Sequence, residues 1–252
     1  MTDIEAMRAE LALSCRILAD TGCVREITGH VSARIPGTDD ILVRCRPLQD
    51  PGVSFTTPDD ILRVGLDATN DDLPPSHRLP GEFAIHTALY RARADIGAVV
   101  HGHPRASLLC GVLGLPLHPV IGAYDPAAMD LAVKGVAQFP RAVLISTPSL
   151  GDDLVRAMGA SNAALLIGHG VVTAGDEIVE ATIRAVKLET LCDLILTAHM
   201  ARPGGAPTLP PADVEAVADF VDRTGAGKTF ARWTWDHYAR SLATVGSPEM
   251  ED

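Results

Sequence analysis

Two histidines separated by one glycine are the residues in this sequence whose types and spacing best suit metal chemistry. His101 and His103 occur in the sequence VVHGHP, directly after an apolar run that predicts a buried strand. The glycine between them can bend the chain so that both imidazoles face the same side. Neutral imidazole is a common ligand of divalent transition metals. The spacing alone also fits ordinary loop histidines at the end of a strand.

A third histidine and one glutamate occupy comparable positions. His169 lies between two glycines after the apolar run LLI, and Glu82 follows Pro80-Gly81 at the start of a helical pattern. Three histidines that leave a coordination position open are typical of catalytic metal sites. A carboxylate beside such a site can act as a general acid or base. The alternative for Glu82 is a favourable interaction with the helix dipole.

The elements that would position these residues alternate between helical and strand periodicity. Helices are predicted for residues 3–22, 81–95, 104–112, 126–138, 152–159, 176–200, 213–223 and 229–242. Strands are predicted for residues 30–35, 41–45, 62–64, 96–100, 120–121, 142–145, 163–167 and 171–173. This order predicts a mixed three-layer α/β domain over residues 1–202 and a C-terminal helical extension over residues 203–252.

Composition excludes several classes of protein. The 252 residues are 47% hydrophobic and carry a formal net charge of -11, which predicts a large core and argues against a nucleic-acid surface. An N-terminus without a signal-peptide pattern, and the lack of an apolar window of about 18 residues, predict a cytoplasmic protein without a membrane partner. Five scattered cysteines without a CxxC pair argue against disulfides and cysteine-bound zinc, and fit a reducing cytosol.

Four short segments together resemble the class II aldolase/adducin family. They read GHVS at 29–32, PGE at 80–82, VVHGH at 99–103 and GHG at 168–170, within a resemblance that extends over residues 5–200. The resemblance implies a three-layer α/β/α fold around a mixed or antiparallel sheet. It also implies one divalent cation per chain (Zn, Mn, Fe or Co) on His101, His103 and His169, with Glu82 as the catalytic residue. A homotetramer with active sites between neighbouring subunits is implied as well.

The sequence departs from the sugar-phosphate members of that family where they bind phosphate. Those members use an Asn in a Gly-Asn-X-Ser segment, where this chain has His30, and a Ser-Ser pair, where it has Pro80-Gly81. Proline has no N–H, and neither residue has a hydroxyl, so phosphate-binding donors are missing. The variants GHVS, PGEF and HGHP are more similar to the decarboxylase branch, which acts on dihydroxyphthalate and hydroxypyridine dicarboxylate.

Five further residues are candidates for binding a carboxylic acid substrate. These candidates are His30, Arg34, Arg78, His86 and His118. Each of them also has an ordinary structural interpretation. His86 lies one helical turn after Glu82 and therefore on the same helix face. The aromatic residues Trp233, Trp235 and Tyr238 could cover an apolar pocket or simply pack a terminal helix on the domain.

The function expected from these observations is metal-dependent cleavage of a carbon–carbon bond in a small molecule. Decarboxylation of an ortho-hydroxylated aromatic mono- or dicarboxylic acid, such as a dihydroxyphthalate, fits best. Glu82, with a pKa raised by an apolar setting, would supply the proton. The alternatives are an aldolase acting on a non-phosphorylated hydroxy-carbonyl compound, an Fe(II) oxidative decarboxylase, and a non-catalytic scaffold of the adducin type.

Overall fold

A computed structural model describes residues 3–202 and 204–245 of the chain. Pro203 and residues 246–252, which belong to the predicted C-terminal extension, lie outside the described residues. The described part contains eight α-helices, which cover Ile4–Asp20 (α1), Phe83–Ala92 (α2), Arg105–Leu113 (α3), Pro126–Lys134 (α4), Pro148–Met158 (α5), Ile178–Ala201 (α6), Pro211–Thr224 (α7) and Ala226–Val245 (α8).

Nine strands form one seven-stranded sheet and one two-stranded sheet within the described residues. They cover His30–Arg34 (β1), Asp40–Arg44 (β2), Arg46–Pro47 (β3), Ile61–Gly65 (β4), His77–Arg78 (β5), Ala98–Gly102 (β6), Ala137–Phe139 (β7), Ala163–Leu166 (β8) and Gly170–Gly175 (β9). The large sheet has the order β4-β2-β1-β6-β9-β8-β7, and β3 pairs with β5. Every pair in the large sheet is antiparallel except β7 with β8.

Alternating apolar side chains bury both faces of the sheet. Val100 of β6 packs in a cluster with residues of α1 and α6, whereas Val99 packs with residues of α2 and α5. Successive residues of a strand point to opposite faces, so one strand contributes to two helical layers. The three-layer α/β/α prediction is confirmed, with a mostly antiparallel central sheet.

The strand register brings the predicted site residues to one end of the sheet. His30 in β1 is directly opposite His101 in β6, and Gly102 in β6 is opposite Val171 in β9. His169 comes one residue before β9, and Gly168 takes a positive φ of 72° in the tight turn between β8 and β9. Three segments that are far apart in sequence therefore meet beside one another.

Two glycines in β6 and β9 have main-chain neighbours that are too close to allow a side chain. A Cβ atom at Gly170 would overlap the carbonyl oxygen of Gly102 and lie 2.7 Å from Cδ2 of His103. A Cβ atom at Gly102 would lie 2.5 Å from the carbonyl oxygen of Cys23. Glycine at these positions allows His103 and His169 to approach each other.

The last helix packs on the body of the domain through one buried tryptophan. Trp235 of α8 is 4% exposed and lies in the cluster formed by α1, α6 and the inner sheet, and Tyr238 packs against that cluster. Trp233 is 63% exposed on the same helix. The structure thus places Trp235 in the core. The division at residue 202 stays a prediction.

Two predicted strands are wrong, and three strands were not predicted: the two-residue strands β3 and β5, and β7. Residues 120–121 and 142–145 form no strand, and the predicted helix 126–138 ends at Lys134, where Gly135 takes a φ of 85°. Residues Ala137–Phe139 instead form β7, which pairs with β8. All five cysteines are free and buried. Among the described residues no helix combines the length and the apolarity needed to cross a bilayer.

Candidate active site

His101 is held by a main-chain hydrogen bond that fixes its tautomer. Its side chain is fully buried, and Nδ1 lies 2.9 Å from the carbonyl oxygen of Val171 in the neighbouring strand. A carbonyl oxygen can only accept, so Nδ1 carries a proton, and in the neutral ring Nε2 then carries a lone pair. Histidine ligands of metals are commonly oriented in this way, with one ring nitrogen bound to a backbone carbonyl.

The three predicted metal-binding histidines converge. Nε2 of His101 lies 3.0 Å from Nε2 of His103, and the ring centroid of His169 lies 5.0 Å from that of His101 and 5.1 Å from that of His103. Nδ1 of His169 is buried without a hydrogen-bond partner among the described residues, and Nε2 has only the Glu82 carboxylate near it. An unpaired buried polar atom is costly, which indicates that a further group belongs beside this ring.

Glu82 completes the cluster from the start of α2. It occupies the N-cap position, but its side chain makes no capping hydrogen bond. Instead Oε1 accepts the N–H of Ile145 at 2.8 Å, and Oε2 lies 3.1 Å from His101 Nε2 and 3.2 Å from His169 Nε2. The carboxylate therefore faces the histidines, and helix capping does not explain its position.

The predicted raised pKa of Glu82 is wrong for the protein alone. Burial raises the pKa of this carboxyl group. The close contacts with His101 and His169 and the N–H of Ile145 lower the pKa, and together they outweigh the effect of burial. The net effect places the pKa of Glu82 well below its usual range. Its acid and base behaviour therefore depends on what it and the histidines bind together.

The donor set fits a divalent cation. One ligand atom from each of Glu82, His101, His103 and His169 lies within 4.8 Å of the other three. Two atoms bound to one Zn²⁺ at about 2.1 Å are at most about 4.2 Å apart, so the cluster is close to that spacing. The lone pair on His101 Nε2 and a carboxylate oxygen repel each other at 3.1 Å unless a cation lies between them.

A chain of buried hydrogen bonds runs from α2 into this cluster. Tyr90 Oη lies 2.8 Å from Ser32 Oγ, which lies 2.6 Å from His86 Nδ1, and His86 Nε2 lies 2.6 Å from His30 Nδ1. The ring centroid of His30 lies 5.0 Å from that of His101. The predicted candidates His30 and His86 are thus brought to the cluster, together with two residues that sequence reasoning missed.

Three histidines of this region, His30, His86 and His103, have lowered pKa values and are neutral. Burial, followed by the neighbouring histidines, lowers the pKa of His30 well below its usual range. Burial also lowers the pKa of His86 to about 3 and that of His103 to about 4. Neutral imidazoles can bind a metal or exchange hydrogen bonds without adding charge.

Arg34 does not reach the cluster. Its guanidinium donates to the main-chain carbonyl groups of Tyr90 and Ile96 at 2.7 and 3.3 Å, and it lies over the Tyr90 ring at 4.9 Å. These donors hold the end of α2 against β1, and substrate binding by Arg34 stays a prediction that these contacts do not support.

Arg78 and His118 also make their contacts elsewhere. Arg78 is exposed in β5 and donates to the carbonyl groups of Pro75 and His77 at 3.1 and 2.7 Å. His118 contacts the carbonyl groups of Pro116 and Ala206 at 3.0 and 3.1 Å, which links its loop to the segment before α7. Neither residue contacts the histidine–glutamate cluster within the described part of the chain.

Arg46 is the charged residue that the sequence did not identify. It is opposite Arg78 in the two-stranded sheet of β3 and β5. Its guanidinium donates to the carbonyl of Ile27, three residues before His30, at 2.8 Å. Its positive charge acts on both His30 and His103 and lowers the pKa of each as the smallest of several causes, after burial. No sequence pattern pointed to Arg46, because the two-residue strand that carries it is too short to show periodicity.

Ser32 and Tyr90, by contrast, had a detectable pattern. Tyr90 follows His86 by four residues, as His86 follows Glu82, and Ser32 follows His30 by two. Residues four apart share a helix face, and residues two apart share a strand face. The spacing would have placed both pairs toward the same layer if β1 had been predicted to lie under α2.

Comparisons with known proteins support a single family. The profile described as the class II aldolase and adducin N-terminal domain matches residues 9–196. A 3,4-dihydroxyphthalate decarboxylase of Arthrobacter keyseri is 38% identical over 230 residues, which cover 90% of each chain. A 3,4-dihydroxyphthalate decarboxylase of Rhodococcus jostii is 34% identical over 247 residues, which cover 97% of this chain and 99% of that one.

A solved structure supports the fold independently. An aldolase II superfamily protein from Pseudomonas syringae superposes with a TM-score of 0.83 at 23% sequence identity, and the match covers 98% of this chain and 95% of the other. At this identity the similarity concerns the fold, including the position of the sheet and its helices.

Proposed function

The chain belongs to the class II aldolase and adducin family and is a carbon–carbon lyase, and we propose that it decarboxylates an ortho-hydroxylated aromatic dicarboxylic acid with the help of a divalent cation. The substrate we favour is 3,4-dihydroxyphthalate, the compound named for the two decarboxylase relatives. The protein would then act in the breakdown of aromatic acids.

One observation carries the metal-dependent part of this proposal. A carboxylate oxygen of Glu82 faces the lone-pair nitrogen of His101 at 3.1 Å, inside a buried cluster that includes two further imidazoles. A divalent cation held between these atoms would stabilise the close approach of the carboxylate and the imidazoles. Three neutral histidines would leave a bound divalent cation its full charge, which suits catalysis better than structural binding.

In the proposed mechanism His101, His103 and His169 hold the cation beside Glu82. When bound, the cation supplies Lewis-acid stabilisation for the negative charge that develops on a substrate oxygen as the carbon–carbon bond breaks. Carbon dioxide leaves with its oxygen atoms, and the electron pair of the broken bond remains on the ring carbon. Glu82 delivers or relays the proton that this carbon takes up.

Phosphorylated sugars are disfavoured by the structure of the turn at residues 57–60. By the family resemblance, this turn replaces a Ser-Gly or Thr-Gly turn that binds phosphate in the sugar-phosphate members. The N–H and hydroxyl of Thr57 both donate to Asp60 Oδ2, at 2.7 and 3.0 Å. The chain's own carboxylate therefore occupies the donors that an anion would need, and repels a phosphate. This observation argues against a sugar-phosphate aldolase and leaves an aldolase acting on a non-phosphorylated compound as the alternative.

Arg46 is our candidate for binding the carboxylate that is not released. Its cross-strand partner is Arg78, and two like charges directly opposite each other destabilise a strand pair unless an anion lies between them. Neither guanidinium forms an ion pair with a carboxylate in the described residues. An arginine can bind a substrate carboxylate through two parallel hydrogen bonds.

The activity test compares substrates and metal states. The purified protein, stripped of metal and then reconstituted with Zn²⁺, Mn²⁺, Fe²⁺ or Co²⁺, is assayed for carbon dioxide released from 3,4-dihydroxyphthalate and from mono- and dihydroxybenzoates. We expect release from the diacid that depends on added metal. Equal turnover in the metal-free protein, or no release from any ortho-hydroxy acid, would contradict the proposal, and oxygen consumption would indicate an oxidative reaction instead.

Arg46→Gln tests how the diacid is recognised. We expect the KM for 3,4-dihydroxyphthalate to rise about 10- to 100-fold, because the loss of one charge-assisted hydrogen bond costs about 1.5–3 kcal/mol. The KM for a monocarboxylic analogue should change less than threefold. Arg63→Gln, which removes an arginine of the outer strand β4, is the control. Equal changes in KM for both acids would argue against Arg46 as the anchor.

A further inference from the structure

His30 has one ring nitrogen committed to the buried chain and one that is uncommitted. Nδ1 lies 2.6 Å from His86 Nε2, whereas Nε2 makes no hydrogen bond within the part of the chain that the structure describes. His30 is also opposite His101 in the strand register. The state of Nε2 thus decides whether His30 offers a donor or a lone pair beside the histidine–glutamate cluster.

Tyr90, at the other end of this series of hydrogen bonds, determines the state of His30 Nε2. Tyr90 is 3% exposed, and among the described residues Ser32 Oγ is the one atom that can accept a hydrogen bond from its hydroxyl. A buried hydroxyl proton without an acceptor is costly, whereas an oxygen that accepts fewer hydrogen bonds than it could is tolerated. Tyr90 therefore donates to Ser32, and this leaves the Ser32 proton for His86 Nδ1.

The direction then propagates to the cluster. Since His86 Nδ1 accepts from Ser32, the proton of the neutral His86 ring is on Nε2, which donates to His30 Nδ1. A neutral His30 that accepts at Nδ1 carries its proton on Nε2. The opposite direction would leave the proton of Tyr90 without an acceptor in a buried site.

We propose that Tyr90, Ser32 and His86 are positioning residues that hold His30 as the Nε2–H tautomer, so that His30 presents a hydrogen-bond donor to an anionic oxygen of the substrate. The tautomer follows from contacts within the chain, and only the identity of that oxygen rests on the proposed function. A preorganised donor of this kind contributes about 10²- to 10³-fold to kcat when it binds an oxygen that gains charge.

Arg34 supports the same assembly from behind. Its donation to the carbonyl of Tyr90 and its position over the Tyr90 ring hold the end of α2 against β1. The series of hydrogen bonds is thus held in place at both ends: Arg34 contacts Tyr90, and strand pairing in the sheet positions His30.

The test reads the tautomers directly. Nitrogen NMR of the zinc-loaded protein with ¹⁵N-labelled histidine distinguishes protonated from bare ring nitrogens, and His30→Gln and His86→Gln assign the two residues by loss of signal. We expect protonated Nε2 and bare Nδ1 in both rings. A protonated Nδ1 at His30 in the unmodified protein would overturn the proposal, whatever the protein does to any substrate.

Ser32→Asp is designed to reverse the chain. A carboxylate only accepts hydrogen bonds, so both the Tyr90 hydroxyl and His86 Nδ1–H would donate to it. His86 Nε2 would then accept a hydrogen bond from His30 Nδ1–H. We expect both tautomers to switch, zinc content to stay within about 20% of one equivalent, and kcat to fall about 100-fold or more. Ser32→Thr keeps the hydroxyl and should retain both tautomers and kcat within about threefold.

Two outcomes in these variants would overturn the proposal. The first is an unchanged His30 tautomer in folded Ser32→Asp, and the second is a switched tautomer with unchanged kcat. If Ser32→Asp does not fold, the tautomers of the unmodified protein still decide the direction of the chain. Carbon dioxide release fails separately if the proposed function is wrong, because the NMR measurement needs no substrate.

Discussion

Glu82 combines two contacts that a substitution can separate. Oε1 binds the N–H of Ile145, while Oε2 faces His101 and His169. In Glu82→Gln the amide oxygen can keep the bond to Ile145, but the side chain loses its charge and its ability to exchange a proton. We expect metal content above about half an equivalent and a kcat lowered 10²- to 10⁴-fold.

His103→Ala is the comparison for that variant. It removes one of the three converging imidazoles, so both metal content and turnover should be lost. Elemental analysis and carbon dioxide release measure the two properties on the same preparations. A His103→Ala protein with a full equivalent of metal, or a fully active Glu82→Gln protein, would argue against these assignments.

His86 makes the stability of the protein depend on pH. Its pKa falls from 6.5 to about 3 on folding, chiefly because of burial, so the unfolded chain takes up this proton first as the pH falls. The contribution is complete above pH 6.5 and is lost progressively between pH 6.5 and about 3. At pH 5 the loss is about 2 kcal/mol from this residue alone.

Urea unfolding of the metal-free protein between pH 5 and 8 measures this effect. We expect the free energy of unfolding to fall toward pH 5, with a shallower slope in His86→Gln. His237→Gln, in which an exposed histidine of α8 is replaced, should keep the original slope. Equal slopes in all three proteins would contradict a neutral, buried His86.

At the scale of elements, the approach of β6 and β9 is what makes the cluster compact. Gly170→Ala would place a methyl group against the carbonyl of Gly102 and the ring of His103. We expect a free energy of unfolding lowered by about 1–3 kcal/mol and weaker metal binding, since the strands must separate. Gly65→Ala in β4, where a Cβ meets only ordinary contact at 3.8 Å, is the control. Metal titration and thermal unfolding would measure both effects.

The segment from 135 to 145 shows why elements are harder to predict than residues. Its apolar residues Val143 and Ile145 fit a strand pattern, but the main chain there binds the Glu82 side chain instead of a neighbouring strand. The strand forms earlier, at Ala137–Phe139, because Gly135 ends α4 and places that segment beside β8. Local periodicity contains no information about which partner is available.

At the scale of the whole molecule, Trp235 connects the C-terminal helix to the rest of the fold. Its burial among α1, α6 and the sheet predicts that Trp235→Ala lowers the free energy of unfolding by about 3–5 kcal/mol, from lost apolar contact and a new cavity. Trp233→Ala removes a side chain of the same type from the exposed face and should cost less than about 0.5 kcal/mol. Denaturant unfolding distinguishes the two, and equal effects would argue against this anchoring.

The homotetramer with active sites between neighbouring subunits, implied by the resemblance, stays a prediction, as does the cytoplasmic location. Sedimentation equilibrium of the metal-loaded protein measures the first directly. Exposed apolar side chains such as Tyr124 and Leu144, 79% and 67% accessible in the single chain, are positions where burial between subunits can be examined.

The sequence by itself determined the chemistry of the centre. Histidine and glutamate were recognisable because few residue types bind divalent cations, and because glycines beside them marked sharp turns and close approaches. His86 was found from its spacing to Glu82, and the missing phosphate donors were evident at Pro80-Gly81 once the family resemblance had located the phosphate site. The layer architecture followed from the order and periodicity of the elements and from the family resemblance.

Only the tertiary structure decided which polar residues join that centre. Arg34, Arg78 and His118 were as plausible as His30 in the sequence, yet their donors are used by main-chain carbonyl groups. Arg46 was identified only from the tertiary structure, in which β3 pairs with β5. The tautomer of His30 depends on Tyr90, which is 60 positions away in the sequence. Hydrogen-bond partners and charge neighbours are properties of distance in space, which strand register and helix packing set and local sequence does not encode.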